Sequence, residues 1–152
     1  EGRVVGLLSS DLRRAVQTAA AVAEGLRADL AVGIDARLRE RDVGWVTGMD
    51  DAEAAASFPD QMARWRERSS DRSPGGEGDG TLVLRARRAL DDASRRIGTD
   101  PDGVWMAVSH GGLISVLERA AELGPGGFAN LAGRWVLVDA PGRWRLGPRF
   151  PR

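Results

Sequence analysis

The sequence predicts an α/β fold: a mostly parallel sheet with helices on both faces. Short apolar runs alternate along the chain with segments of helical spacing, the pattern of strand–helix–strand units. The length of 152 residues suits one ordinary domain, and 42% hydrophobic with 29% charged residues is a globular composition. Two apolar runs also end in corners rich in Ser, His and Gly, where open parallel sheets bind their ligands.

The elements follow in order. Val4-Val5-Gly6-Leu7-Leu8 is a short apolar run ended by Ser9-Ser10-Asp11, a buried strand running into a helix cap. Leu12, Ala15, Val16, Ala19, Val22, Ala23 and Leu26 then recur at threes and fours, which lays one apolar helix face down to about Arg27. Leu30 to Ile34 reads as a second strand. Asp35 to Gly48 has no clean period and reads as a charged loop. Asp50 to Phe58 and Pro59 to Arg68 read as helices, the second opened by proline. Ser69 to Gly80 is the strongest loop signal, long enough for a mobile surface loop or lid. From Thr81 a third helix presents Val83, Ala86, Leu90, Ala93 and Ile97. Val104 to Val108 is a buried strand, Leu113 to Leu123 a helix, and Arg134–Asp139 with Arg143–Leu146 a hairpin about Pro141-Gly142.

Composition excludes several chemistries. Twenty-two basic residues balance twenty-two acidic ones, so the basic excess of a phosphate-neutralising nucleic-acid binder is missing. No apolar run is long enough to span a bilayer, and no secretion signal opens the chain. Every basic residue is arginine, which removes P-loop and Schiff-base lysines. The chain has no cysteine and a single histidine, His110, so thiol catalysis and cysteine-bound zinc are out. Taken together these features predict a cytoplasmic protein with no cysteine-type or multi-histidine metal site and no nucleic-acid or membrane partner. Asp50, Asp51 and Glu53 resemble a metal cluster but are explained by an acidic helix start. Among five tryptophans, Trp105 and Trp135 lie in apolar runs and read as packing, whereas Trp45 follows the charged loop and could border a site. Arg64, Arg66 and Arg68 around Trp65 read as a solvated helix face.

The two corners carry the chemistry. In Ser9-Ser10-Asp11-Leu12-Arg13-Arg14, Arg14 falls in the first turn of a helix; in Val108-Ser109-His110-Gly111-Gly112, a histidine stands at a strand end before two glycines. Helix N-termini, a bidentate guanidinium and an imidazole together suit an anion such as phosphate. A solvated helix arginine and a capping histidine would explain the same residues without a ligand. The chemistry alone leaves both readings open.

A family resemblance bears on that choice. Ser9 to Ala19 (SSDLRRAVQTA) resembles the SSDLxRAxQTA segment of the histidine phosphatase superfamily, the phosphoglycerate-mutase-like group. Leu38 to Gly44 (LRERDVG) is similar to its LREIDFG segment, and Pro74-Gly75-Gly76-Glu77 to its PGGES loop, with Gly78 in place of serine. Val108 to Ile114 resembles its second-histidine segment, and Asn130 before Val136-Leu137-Val138 its last strand. The resemblance implies a phosphoglycerate-mutase-like fold and a cofactor-independent phosphomonoester phosphatase, or less readily a mutase, acting on a small phosphorylated substrate. By position, Arg14 binds the transferred phosphoryl group, His110 hydrogen-bonds it with help from the Gly111 N–H, and Glu40 is the general acid.

One departure stands out. The family's nucleophile lies in an RHG segment ahead of these motifs, and the chain opens directly on the Val4–Leu8 strand. Residues 1–152 therefore read as a single domain incomplete at its N-terminus and inactive by itself. The alternatives are a degenerate phosphoester-binding or partner-docking module, or attack by His110 itself. A missing first strand is expected beside the one ending at Leu8. Its loss would leave the chain unstable or paired as a homodimer through the bared edge.

Overall fold

The computed structural model describes residues 3–26, 30–67, 73–97, 103–124 and 127–150. Among these residues lie five strands and five α-helices, in the order β1 (Arg3–Ser9), α1 (Arg13–Gly25), β2 (Val32–Ile34), α2 (Asp51–Ser57), α3 (Pro59–Glu67), α4 (Asp79–Ile97), β3 (Gly103–Val108), α5 (Gly111–Ala120), β4 (Gly133–Ala140) and β5 (Arg143–Phe150). The fold class is the expected α/β. Two compact units are present, one of residues 1–40 with 85–152 and one of 41–84.

In the first unit, β1 is the middle strand of a parallel sheet in the order β2-β1-β3. This corrects the expected open side beside Leu8: Leu8 pairs with Gly33 of β2 and with Ala107 of β3, so both edges of β1 are hydrogen-bonded. Leu7 and Leu8 point to opposite faces and both are buried, so the sheet is covered on each side. Leu8 packs with Leu38 and with Ala89 and Ala93 of α4, and Trp105 joins them. Gly6 is opposite Trp105 in the register, and a Cβ there would lie 2.5 Å from the indole. The strand can seat the ring only because residue 6 has no side chain.

The helices keep the predicted spacing with shifted faces. On α1 the buried residues are Ala15 and Ala19, whereas the predicted end of the stripe, Leu26, is exposed. The N-cap is Leu12, with no side-chain cap; Ser10 reaches only the Leu12 N–H, at 3.3 Å. On α4 the buried positions are Leu82, Ala86, Ala89 and Ser94, one step off Val83 and Leu90. The alternation of small and large residues leaves both stripes plausible by period, and the packing of Leu8 and Trp105 selects the alanine side.

The hairpin β4–β5 forms as expected, with β5 running on to Phe150. Gly142 takes φ 74° after Pro141, the residue order a tight turn with a left-handed second position requires. Two bonds tie the hairpin to α4: the Gly142 N–H donates to Ser94 Oγ (2.9 Å) and Trp144 Nε1 to Asp91 Oδ1 (2.7 Å). Trp135 proves half open, its ring tilted against Phe150 at 5.4 Å. On α5, Glu118 is fully buried and accepts from Arg134 of β4 and Arg149 of β5. Burial would raise its carboxyl pKa, but the bonds from Arg149 and Arg134 outweigh that and hold it below the usual carboxylate value.

In the second unit, Val46, Ala54 and Met62 form a core joined by Val43, Phe58 and Trp65. Asp50 caps α2 in a full capping box with Glu53, so the acidic triplet is a helix start, as read from the sequence. Arg64 and Arg66 are exposed on α3, and Arg68 lies outside the described residues. Of the predicted loop, residues 69–72 also lie outside them, and α4 already begins at Asp79. The described part is packed. Ser73 is buried and donates to the Val43 carbonyl (2.8 Å), and the Trp45 N–H donates to Pro74 O (2.9 Å). Gly44 (φ 61°) and Gly75 (φ 70°) meet here, with the Trp45 indole against Gly75. Among the described residues no helix is long and apolar enough to cross a membrane.

Replacing Glu118 by Gln strands two arginines against a buried amide. The expected loss is about 3–5 kcal/mol, read from urea or thermal unfolding. Because the folded-state pKa is depressed, the carboxylate's stabilisation is present at neutral pH and lost as pH falls through that lowered value. The parent should therefore lose stability toward acid faster than Glu118→Gln.

Candidate active site

The site grows from one register. β1 and β3 are neighbours in parallel, Ser9 lies opposite Val108, and the Ser10 N–H donates to the Val108 carbonyl (2.9 Å). Their carboxyl ends therefore finish side by side, and the helices that follow, α1 and α5, start at adjacent corners. Both helices begin without a side-chain cap. Their first N–H groups and positive dipole ends lie at the same end of the sheet.

Arg14 is the second residue of α1, as expected, and it is exposed; among the described residues no ion pair holds its guanidinium. His110 is the extended N-cap of α5 and is buried, with Nε2 at 2.9 Å from the buried Ser10 hydroxyl. Burial pushes its pKa below the ordinary 6.5, and the Arg14 charge pushes the same way; Glu40 opposes them. Arg14 and Glu40 thus both bear electrostatically on His110.

Glu40 arrives from the other side of β1. The strand order puts β2 against β1, and the chain after β2 makes a 3₁₀ turn over Ala36–Leu38 before reaching Glu40. Its Oε2 accepts from the Gly112 N–H (3.1 Å), inside the first turn of α5. The carboxylate fills the space that a Cβ on Gly112 would need, so the second glycine of the pair is a seat for Glu40. Gly111, the first, is exposed, and a Cβ there would meet nothing closer than Phe128 at 3.7 Å.

Four further residues complete the site that sequence reasoning had not singled out. Ser10 was seen only as part of a cap, yet it binds the imidazole. Asp11 takes a two-pronged bond from Arg39, 2.6 Å at each contact, which ties the first corner to the LRE segment. Arg85 of α4 donates to main-chain carbonyls of that segment and adds positive charge near His110. Only Ser10, Asp11 and Arg39 carried a signal, since they sit within the quoted motifs. No group of three or more His, Cys, Asp or Glu side chains among the described residues is arranged to hold a metal ion.

A family model described as the histidine phosphatase superfamily, branch 1, matches residues 2–134. The glucosyl-3-phosphoglycerate phosphatase of Mycobacterium tuberculosis is 34% identical over 163 aligned positions, covering 92% of this chain and 70% of that protein. The enzyme of the same name from Mycolicibacterium vanbaalenii is 34% identical over 166, covering 92% and 71%. Among solved structures, a mycobacterial glucosyl-3-phosphoglycerate phosphatase in complex with inorganic phosphate superposes with a TM-score of 0.75. It is 33% identical and covers 96% of this chain and 76% of that one. A Bacillus anthracis phosphoglycerate mutase, 21% identical over 97% of this chain and 72% of its own, shares the fold with a TM-score of 0.69.

The charges around His110 predict its titration. Followed by NMR, the imidazole should titrate below 6.5. Arg14→Ala should raise that midpoint and Glu40→Gln lower it further. An unmoved midpoint in both variants would separate these side chains from His110.

Proposed function

The chain belongs to the histidine phosphatase superfamily, and from that premise we propose that its site binds the phosphoryl group of a small phosphomonoester and takes part in its hydrolysis. The observation that carries the reading is the convergence of an exposed arginine with no ion pair among the described residues, a buried imidazole and a carboxylate at two adjoining helix starts. Arg14 supplies a forked donor for two phosphoryl oxygens. His110 and the Gly111 N–H supply further donors to the charge that spreads over those oxygens in the transition state. Glu40, whose carboxyl group sits against the Gly112 N–H, delivers a proton to the leaving oxygen.

His110 is not the attacking group in this reading. One of its ring nitrogens is already engaged by Ser10, which fits an orienting and donating role. The sequence has no second histidine, so the attack falls to an imidazole outside these 152 residues, and the chain by itself is inactive. The same fact favours the second reading, a module that binds phosphoesters without turnover. The family match runs on through residues of both compact units, which supports treating 1–152 as one domain.

Hydrolysis is preferred to mutase chemistry. Relatives at 33–34% identity include proteins named as phosphatases, whereas the mutase neighbour, at 21%, shares the fold alone. Their names make a phosphorylated glycerate ester the first substrate to test. The reading places the enzyme in the cytoplasm, with no cofactor and no nucleic-acid or membrane partner. A homodimer is compatible with it.

In the natural full-length protein, Arg14→Ala should weaken phosphate or vanadate binding by about tenfold or more, the effect of losing a charged hydrogen-bond donor. Glu40→Gln should slow hydrolysis of alkyl phosphates by roughly 100-fold or more and aryl phosphates far less. Anion affinity unchanged in Arg14→Ala would displace the site. Binding with no turnover of any phosphomonoester would select the second reading.

A further inference from the structure

The segment that delivers Glu40 has only the short 3₁₀ turn over Ala36–Leu38, yet its carbonyls from 37 to 40 are all held by side chains. Arg85 Nη1 donates to Arg37 O (2.7 Å) and Arg39 O (2.8 Å), and Arg85 Nη2 to Glu40 O (3.0 Å). Ser109 Oγ donates to the carbonyl between them, Leu38 O (2.8 Å). Four successive carbonyls, 37 to 40, thus end on two side chains. Upstream, Arg37 is itself locked by a two-pronged bond to Asp35 and a further one to Asp92.

A loop so held cannot slide along its own axis. Its last residue is Glu40, whose carboxylate meets the Gly112 N–H. An arginine is suited to the task, because its rigid planar fork presents several donors in fixed directions and accepts nothing in return. A lysine in its place would keep the charge but offer one rotating ammonium, unable to span three carbonyls.

We propose that Arg85 is a positioning residue for the general acid: by fixing the carbonyls of residues 37, 39 and 40 it sets the place and aim of the Glu40 carboxyl group. The inference rests on the reading of Glu40 as the proton donor. It adds a distant helix residue to the reaction without giving that residue any contact with substrate.

The test uses the natural full-length protein and two substrates, an alkyl phosphomonoester and 2,4-dinitrophenyl phosphate, whose leaving group needs no proton. Arg85→Lys preserves the positive charge near His110 and removes the fork. It should lower kcat on the alkyl ester about tenfold or more, leave kcat on the dinitrophenyl ester within about threefold, and leave KM unchanged for both. Combined with Glu40→Gln, it should cost the alkyl ester nothing further, since both changes remove one step.

Equal losses on both substrates, or additive losses in the double variant, would overturn the positioning role. If Arg85→Lys is not recovered folded, Arg85→Gln is read with the same pair of substrates; failure of both to fold would assign Arg85 to stability alone and overturn the proposal. A Glu40→Gln variant that treats the two substrates alike would instead overturn the general-acid reading itself. A Glu40→Gln variant that discriminates between them while Arg85→Lys does not would overturn only the inference.

Discussion

The molecule's chemistry depends on the parallel pairing of β1 with β3. Parallel strands finish at the same edge, and the bond from the Ser10 N–H to the Val108 carbonyl brings those two finishes level. Everything attached to the ends inherits that alignment. Arg14 follows from one strand and His110 from the other, so residues nearly a hundred positions apart share one electrostatic field. An antiparallel pairing of the same strands would send the two helices to opposite edges.

Around that alignment the protein uses two kinds of support. Apolar packing fixes the strands: Leu8, Leu38, Ala89 and Trp105 form one contiguous layer, and Gly6 gives way to the indole. Polar bonds fix what packing cannot reach. In the loop from Asp35 to Glu40 Leu38 joins that layer, while the charged residues around it are tied by Arg85, Ser109 and the Arg37 ion pairs. Hydrogen bonds give direction where hydrophobic contact does not.

The corner motifs were legible in the sequence because each compresses a strand end, a turn and a helix start into a few residues. Alternation of apolar runs and helical spacing was enough for the α/β class. Helix faces were less legible: on α4 a period of 3.6 fits two neighbouring stripes, and only the shape of the sheet decides between them. The place of a free edge was also misjudged. Sequence order does not reveal strand order, and β1 lies between β2 and β3, one before and one after the longest excursion of the chain. Arg85 and the burial of Glu118 left no local mark, since both depend on partners 16 to 48 residues away. In an all-arginine sequence, no single arginine stands out.

The meeting of Gly44 and Gly75 has a consequence for how this protein can change. The clasp between residues 42–45 and 73–77 is built from main-chain groups, one serine hydroxyl and two left-handed glycines. It asks nothing of the side chains in between. Outside its core positions Val46, Ala54, Phe58, Met62 and Trp65, that stretch can change in sequence while its two ends stay fastened, so evolution can rewrite those other positions without unbuttoning the base.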